Sequence, residues 1–276
     1  MEVLRICARV RMSAQNYYAQ RTVRRREEVN VELMLELVRA ERKHQPSLGV
    51  RKLHYLIQGE LKEAGVKMGR DRIYEELGKL GMLVERKTSE WPKTTHFNPN
   101  LPVFRNLIED RELTGRNQVW VADITYIRTK EDFMYLGLIT DKWSRKIVGF
   151  HLGETLEAGS ALKALAMGLK GLRRDEKPIH HSDRGCQYAS HAYVKQADKA
   201  GLRMSMTEKD HKAENAMAER VNGTLKREYG LDANFENKRE ARKATWQGVG
   251  LYNNRRPHMA LQLKTPQEVH GPDGED

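Results

Sequence analysis

The sequence predicts an α/β domain built on a mixed five-stranded sheet, preceded by an all-helical domain. In the first 84 residues, apolar side chains recur at helical spacing. Three β-rich runs then follow one another at hairpin-like intervals, and helices alternate with short strands after them. Strands in this order give a mixed sheet with helices on both faces. A chain of 276 residues is long enough to hold both domains.

The predicted helical region covers residues 1–84. Glu32 to His44 is a run of good helix formers that stops near Pro46. A second helix is predicted after Ser47, because apolar residues recur there every three to four positions until Gly65 breaks the pattern.

A third helix is predicted from about Gly69 to Leu80. Two short helices joined by a tight glycine turn fit a helix-turn-helix, a motif that binds DNA. The third helix would then present Arg70, Arg72 and Glu75 outward. The alternative is an ordinary helical bundle with a solvated charged face.

Residues 85–104 are predicted to be a basic linker, because three prolines lie there among Lys, Thr and Asn without periodicity. The α/β core follows over residues 105–235, and residues 236–276 form a C-terminal basic helix and tail. The predicted strands are Val119–Ile127, Phe133–Thr140, Ile147–Leu152, Pro178–Asp183 and Arg203–Met206. With the intervening helices they give the order β-β-β-α-β-α-β-α, which is expected of a ribonuclease H-like fold.

The net charge of +11 favours a polyanionic partner, of which nucleic acid is the abundant one. The alternative is that the high isoelectric point serves no specific purpose, as in many soluble proteins. No run of 18 apolar residues predicts a transmembrane helix, and the first twelve residues are not typical of a signal peptide. The two cysteines, Cys7 and Cys186, make no disulfide framework. We therefore expect a cytoplasmic protein, associated with the nucleoid.

Two aspartates lie at predicted strand positions. Asp123 is surrounded by strand residues, and a carboxylate in that setting costs free energy unless it is hydrogen-bonded or metal-bound. Asp183 ends a short apolar strand, where ligands gather in open α/β sheets. The alternatives are a water-capped strand end for Asp123, and an Asx turn or helix cap for Asp183.

His180, His181 and Cys186 lie close together in the sequence and are possible zinc ligands. Neighbouring side chains on a strand point to opposite faces, however, so this interpretation is disfavoured.

Glu219 lies on a predicted helix from Lys212 to Tyr229. Asn215, Asn222 and Lys226 share its face at helical spacing, so a phosphate backbone could approach the carboxylate along this face. The alternative is a solvated helix face that happens to carry a glutamate.

Four ordered motifs resemble a known family. They are Trp120–Tyr126 (WVADITY), His181–Tyr188 (HSDRGCQY), Glu214–Glu219 (ENAMAE) and Tyr252–His258 (YNNRRPH). The chain resembles the bacterial insertion-sequence transposases, in particular the OrfB-type product of the third insertion-sequence family, which shares a retroviral integrase-like Asp-Asp-Glu core. Leu48–Leu53 and Asp71–Leu77 are similar to its helix-turn-helix region.

The resemblance implies an Asp-Asp-Glu polynucleotidyl transferase. Asp123, Asp183 and Glu219 would be the catalytic residues and would hold two Mg²⁺ or Mn²⁺ ions per active site. The enzyme would cleave DNA at the ends of the element and join the 3′-hydroxyl to another phosphodiester.

The resemblance also implies partners. These are the terminal repeats and target DNA, further copies of the chain, and an upstream-frame OrfA-type protein or a fusion to it. The residues predicted to contact DNA are Lys226, Asn215, Asn222, Arg255, Arg256, Arg70 and Arg72. Two alternatives stay open: a non-catalytic DNA-binding accessory subunit of a transposition system, and a ribonuclease H-like nuclease that only hydrolyses.

Overall fold

The computed structural model describes residues 7, 9, 11–84, 101–208 and 216–271. The chain divides into two compact units, residues 1–86 (the helical unit) and 87–276 (the sheet unit). Most of the predicted linker, residues 85–100, lies outside the described residues. No helix within the described ranges is both long and apolar enough to cross a membrane.

Within residues 11–84, the helical unit contains three helices: α1 (Ala14–His44), α2 (Val50–Glu63) and α3 (Arg70–Lys79). The helices predicted after Ser47 and near Gly69 are confirmed. They enclose a common core, whose fully buried members include Met34, Val38, Leu53, Ile57, Ile73 and Leu77. Between α2 and α3 the chain turns at Gly65, where φ is 72°, a left-handed conformation that favours glycine.

Helix α1 is much longer than the sequence predicted. It begins at Ala14 rather than Glu32, and the Ser13 hydroxyl caps it by accepting a hydrogen bond from the backbone N–H of Asn16 at 3.1 Å. The first buried residue of the helix is Met34. The prediction was wrong here because this half of the helix buries no apolar face, so no stripe reveals it in the sequence.

The sheet unit is built on strands β1 (Val119–Thr129), β2 (Phe133–Asp141), β3 (Ile147–Gly153), β4 (Ile179–Ser182) and β5 (Arg203–Met206). Their order across the sheet is β3-β2-β1-β4-β5. Strands β1, β2 and β3 pair antiparallel, while β4 and β5 run parallel to β1. This is the ribonuclease H-like arrangement that the element order predicted.

A two-residue strand, β6 (Asn234–Phe235), was not predicted. It pairs parallel with Arg128 and Thr129 at the far end of β1. Two residues are too few to show the alternation by which strands are recognised in a sequence.

Helices cover both faces of the sheet. Helices α4 (Ala158–Lys170), α5 (Cys186–Ala189) and α6 (His191–Lys199) contribute to one core with Trp120, Ala122 and Ile124 of β1. Helices α7 (Ala216–Glu228) and α8 (Lys238–Asn254) contribute to a second core with Ile127, Leu136 and Phe150. A short helix, α9 (Pro266–His270), follows, and it begins with a capping box formed by Thr265 and Glu268.

Small residues let α4 lie very close to the sheet. Its buried positions include Ala161, Ala164 and Gly168. Ala164 and Gly168 face Gly149 of β3, while Ala161 faces Gly137 of β2. A Cβ atom at Gly149 would overlap the backbone carbonyl of Ala164. The glycine therefore sets the distance between helix and sheet on this side.

Candidate active site

Asp123 and Asp183 lie side by side on neighbouring strands. In the parallel register of β1 and β4, Ala122 is opposite Ser182. Asp123 and Asp183 are the next residues on each chain, and adjacent strands are about 4.8 Å apart. Strand pairing therefore brings together two carboxylates that are 60 positions apart in the sequence.

The position of Asp183 is set by a turn. Strand β4 ends at Ser182, and Oδ1 of Asp183 accepts a hydrogen bond from the backbone N–H of Gly185 at 3.0 Å. Gly185 is the N-cap residue of α5. The Asx turn weighed as an alternative is thus present, and it fixes the carboxylate beside Asp123 rather than removing it from the site.

Asp123 has two hydrogen-bond donors. Its Oδ1 accepts from the backbone N–H of Ile124 at 2.9 Å, and its Oδ2 accepts from Nδ2 of Asn222 on α7 at 2.7 Å. The pKa of Asp123 is raised to about 7, mainly by burial, then by the Asp183 carboxylate and least by Glu219, while the two hydrogen bonds oppose the rise. The pair of aspartates thus concentrates negative charge that a cation would stabilise.

Glu219 lies in the first turn of α7, one helical turn before Asn222. Its side chain is exposed, yet its charge acts on Asp123. Among the described residues, no group of three His, Cys, Asp or Glu side chains is close enough to hold one metal ion. The structure therefore brings the two aspartates together and leaves Glu219 at the edge of the site.

Asn222 and Lys226 are buried, whereas the sequence predicted that they contact DNA. Asn222 is 6% exposed and Lys226 is 4% exposed, because the face of α7 that packs on the sheet includes them beside Val221 and Leu225. The Lys226 Nζ atom lies 4.3 Å from the centroid of the Tyr126 ring. Burial lowers the pKa of Lys226 to about 8, an effect that the nearby Asp123 opposes.

The other predicted DNA contacts lie elsewhere. Arg256 is buried, and its guanidinium donates two hydrogen bonds of 2.7 Å to the carboxylate of Glu228. Arg255 is exposed at the end of α8. Arg70 and Arg72 are exposed on α3 of the helical unit. Asn215 lies outside the described residues.

The sequence did not single out Arg145, which lies in the turn between β2 and β3 and contacts α7. Its φ of 66° is left-handed, and its guanidinium contacts the sulfur of Met217 on α7. Burial lowers its pKa, and Arg220 nearby lowers it further. No local signal could have found it, because the contact joins positions 72 residues apart.

The donor set fits a hard divalent cation. Asp123 and Asp183 supply carboxylate oxygens, the ligands that Mg²⁺ and Mn²⁺ prefer. The Oδ1 atom of Asn222 is a buried acceptor with no hydrogen-bond partner in the described part of the chain, so the site holds a further oxygen ready for a donor or an ion. The alternative zinc ligands do not converge, since His180 pairs with Tyr193 at 2.7 Å and His181 with Ser205 at 2.9 Å.

The strand order of the sheet unit defines a ribonuclease H-like integrase core, and family comparison agrees. A model described as "Integrase core domain" matches residues 114–212, and a second of the same description matches residues 200–266. These matches cover β1 to β5 and continue through α7 and α8.

Two relatives extend the comparison to the helical unit. The insertion element IS600 uncharacterized 31 kDa protein of Shigella sonnei is 35% identical over 265 residues, which is 95% of this chain and 96% of the relative. The transposase for insertion sequence element IS629 of Shigella sonnei is 31% identical over 86% of this chain and 78% of that protein. The chain belongs to the IS3 family of insertion-sequence transposases, of the OrfB type with an integrase core.

Among solved structures, the chain is similar to the HTLV-2 integrase catalytic core domain in complex with magnesium in its trimeric form. The TM-score is 0.47 and the identity 19%, and the match covers 58% of this chain and 100% of that one.

Proposed function

We propose that this protein is a DNA strand transferase that cuts at the ends of its insertion sequence and joins the new 3′-hydroxyl to a second phosphodiester. The observation that supports this most directly is the pair Asp123 and Asp183, adjacent on β1 and β4. Membership of an integrase-core transposase family supports the same reaction class.

Asp123, Asp183 and Glu219 are the proposed catalytic and metal-binding residues. Two Mg²⁺ or Mn²⁺ ions held by them would activate the attacking oxygen and stabilise the leaving 3′-oxygen. Asn222 orients Asp123 through its 2.7 Å hydrogen bond, which leaves the second lone pair of Oδ2 available as a ligand. Glu219, on the exposed first turn of α7, completes the set when DNA and cations enter.

The reaction proceeds in two displacements at phosphorus. In the first, a water oxygen bonds to phosphorus, the bond from phosphorus to the 3′-oxygen breaks, and the proton lost by water is balanced by the one that the 3′-oxygen gains. In the second, the oxygen of that 3′-hydroxyl bonds to another phosphorus, and the 3′-oxygen displaced there takes up a proton. The protein forms no covalent bond to DNA at either step.

The partners follow from this reaction. The substrates are double-stranded terminal repeats and target DNA. Two ends must be handled together, so we propose that the chain works as a homo-oligomer. The OrfB type implies a further partner, an upstream-frame OrfA-type protein or a fusion to it.

A second candidate is a DNA-binding accessory subunit without chemistry of its own. The exposed position of Glu219 favours it, because the described residues supply only two converging carboxylates. The acidic pair argues against it, since carboxylates that face phosphate weaken simple DNA binding.

A strand-transfer assay on labelled terminal-repeat DNA tests the proposal, with Mg²⁺, Mn²⁺ or EDTA, for this chain alone and fused to the upstream-frame product. We expect joined product with either metal and none in EDTA. Asp123→Asn, Asp183→Asn and Glu219→Gln should each abolish joining while DNA binding persists. Asp198→Asn, an exposed aspartate on α6, is the matched control and should retain full activity.

The outcomes separate the candidates. Joining retained in one variant removes that residue from the catalytic set. Cutting without joining indicates a nuclease. Binding of terminal repeats without chemistry in any metal, by both forms of the protein, indicates the accessory subunit.

A further inference from the structure

The first half of α1 is an exposed helix that carries four arginines. Every residue from Tyr18 to Val29 is exposed, and the helix buries its first side chain only at Met34. The four arginines are Arg21, Arg24, Arg25 and Arg26, within six positions. At 1.5 Å per residue they span about 8 Å of helix axis.

None of these four arginine side chains has an ion pair or hydrogen bond with another described residue. Two glutamates, Glu27 and Glu28, follow directly, yet neither pairs with an arginine within the described residues. The positive charge of α1 is therefore available to a partner.

The arginines of α3 are different. Arg70 binds Asp71 at 2.7 Å, and Arg72 binds Glu76 at 3.0 Å. Each cation that the helix-turn-helix interpretation assigned to DNA already has an acidic neighbour on its own helix. Their net attraction for phosphate is correspondingly smaller.

The exposed face of α1 combines charge with an aromatic ring. Tyr18, Arg21 and Arg25 share one side of the helix at spacings of three and four residues. The Tyr18 side chain is in edge contact with Tyr17, with ring centroids 5.4 Å apart. Arginine and tyrosine side chains are both among the groups that bind the phosphate oxygens of DNA.

A second copy of the chain is the other conceivable partner for an exposed helix. Pairing of two α1 helices through this face would set Arg21 and Arg25 in the seam, where a coiled coil needs apolar residues. Burying an arginine without an acidic partner costs several kcal/mol of desolvation free energy. Two such arginines would offset the free energy that packing the two helices gains. Charge complementarity therefore favours a polyanion.

We propose that the exposed half of α1, through Arg21, Arg24, Arg25 and Arg26, is the principal contact of the helical unit with the DNA phosphate backbone. The contact is independent of base sequence. Arg70 and Arg72 of α3 contribute less. The proposal rests on the proposed action on DNA and specifies which part of the helical unit contacts the DNA.

Two matched double variants of the full chain test this, Arg21→Gln/Arg25→Gln and Arg70→Gln/Arg72→Gln. Each removes two charges and substitutes a good helix former. Affinity for a fluorescein-labelled random-sequence duplex of about 30 base pairs is measured in EDTA by anisotropy, from about 50 to 200 mM salt. Circular dichroism and light scattering check helix content and mass.

In the α1 variant we expect about tenfold weaker binding at low salt. The slope of the logarithm of the binding constant against the logarithm of the salt concentration should be smaller in magnitude by about 1.8. The α3 variant should change affinity less than about threefold. An unchanged slope in the α1 variant, or a larger loss in the α3 variant, overturns the proposal. A fall in mass with an unchanged slope also overturns it and assigns α1 to self-association. If the wild-type chain binds no duplex at all, the proposed function fails with it.

Discussion

Asn222 donates its Nδ2 hydrogen to Oδ2 of Asp123 across 2.7 Å, while its own Oδ1 is buried without a hydrogen-bond partner among the described residues. The two residues are 99 positions apart, on β1 and α7. This bond ties the helix that carries Glu219 to the strand that carries Asp123. We therefore propose that Asn222 positions Asp123 rather than contacting DNA.

Asn222→Ala should therefore slow strand transfer by about 10- to 100-fold. The hydrogen bond lowers the pKa of Asp123, so its loss should move the acid limb of the pH–rate profile to higher pH. Single-turnover rates over a pH series measure both effects. Asn254→Ala, which removes an exposed asparagine near the end of α8, is the control and should leave rate and profile unchanged. A slower enzyme with an unshifted profile would indicate a merely structural role.

Metal binding should weaken as the pH falls below about 7. The pKa of Asp123 is raised to about 7, so in acid a proton occupies the carboxylate that the ion needs. Affinity for Mn²⁺ should drop about tenfold per pH unit there and level off above it. Calorimetric titration in two buffers of different ionisation enthalpy measures the affinity and the proton released. The two test conditions, pH 6 and pH 8, lie about one unit on either side of the pKa of Asp123. Equal affinity for Mn²⁺ at both would contradict the assignment.

The same carboxylate should destabilise the metal-free fold at neutral pH. A folded-state pKa above the unfolded value means that the native state holds a proton that the unfolded chain loses. The free energy of unfolding should fall as the pH rises from about 4 to about 7. Asp123→Asn should therefore be more stable than wild type at pH 8 in EDTA, by on the order of 2 kcal/mol. Urea unfolding at several pH values measures this, and added Mg²⁺ should reverse the ranking.

The charge of Lys226 should set the alkaline limit of activity. Burial over the Tyr126 ring lowers its pKa to about 8, so the amine loses its proton above that pH, where an ordinary lysine stays charged. Lys226→Arg keeps the charge and should extend the active range to higher pH. The measurement is the descending limb of the pH–rate profile for both proteins. Superimposable limbs would show that Lys226 plays no part in the reaction.

Gly149→Ala should destabilise the sheet unit by at least about 2 kcal/mol, because the new methyl group would overlap the Ala164 carbonyl of α4. Gly137→Ala, on the neighbouring strand, is the control. Its Cβ would meet nothing nearer than the Ser160 carbonyl oxygen at 3.6 Å, so the change should stay within about 1 kcal/mol. Thermal unfolding compares them, and equal stability of the two variants would disprove the close approach.

Local patterns predicted most of the sheet. Strand alternation placed β1 to β5, and the positions of Asp123 within one strand and of Asp183 at the end of another singled out the two aspartates that the parallel pairing of β1 and β4 brings together. Helix α1 was truncated in the prediction because its exposed half has no apolar stripe.

The partners of Asn222, Lys226 and Arg256 could not be predicted from the sequence. Each polar side chain pairs with a residue that only the packing of α7 brings near, and spacing along a helix does not show which of its faces is buried. The sequence assigned Asn222 and Lys226 to the face of α7 that contacts DNA, whereas the structure buries both side chains.

Arg256 illustrates this difference and allows a test against its neighbour. Its guanidinium is buried and donates two hydrogen bonds to the Glu228 carboxylate, so Arg256→Gln removes both and should cost about 2 kcal/mol of stability. Arg255→Gln changes an exposed side chain and should cost less than about 0.5 kcal/mol. Urea unfolding gives the stabilities, and duplex binding at a temperature where both variants are folded gives the DNA contribution. We expect Arg256→Gln to lose stability with nearly unchanged affinity. A stable Arg256→Gln protein with weakened DNA binding would return this residue to the DNA contacts that its sequence motif suggested.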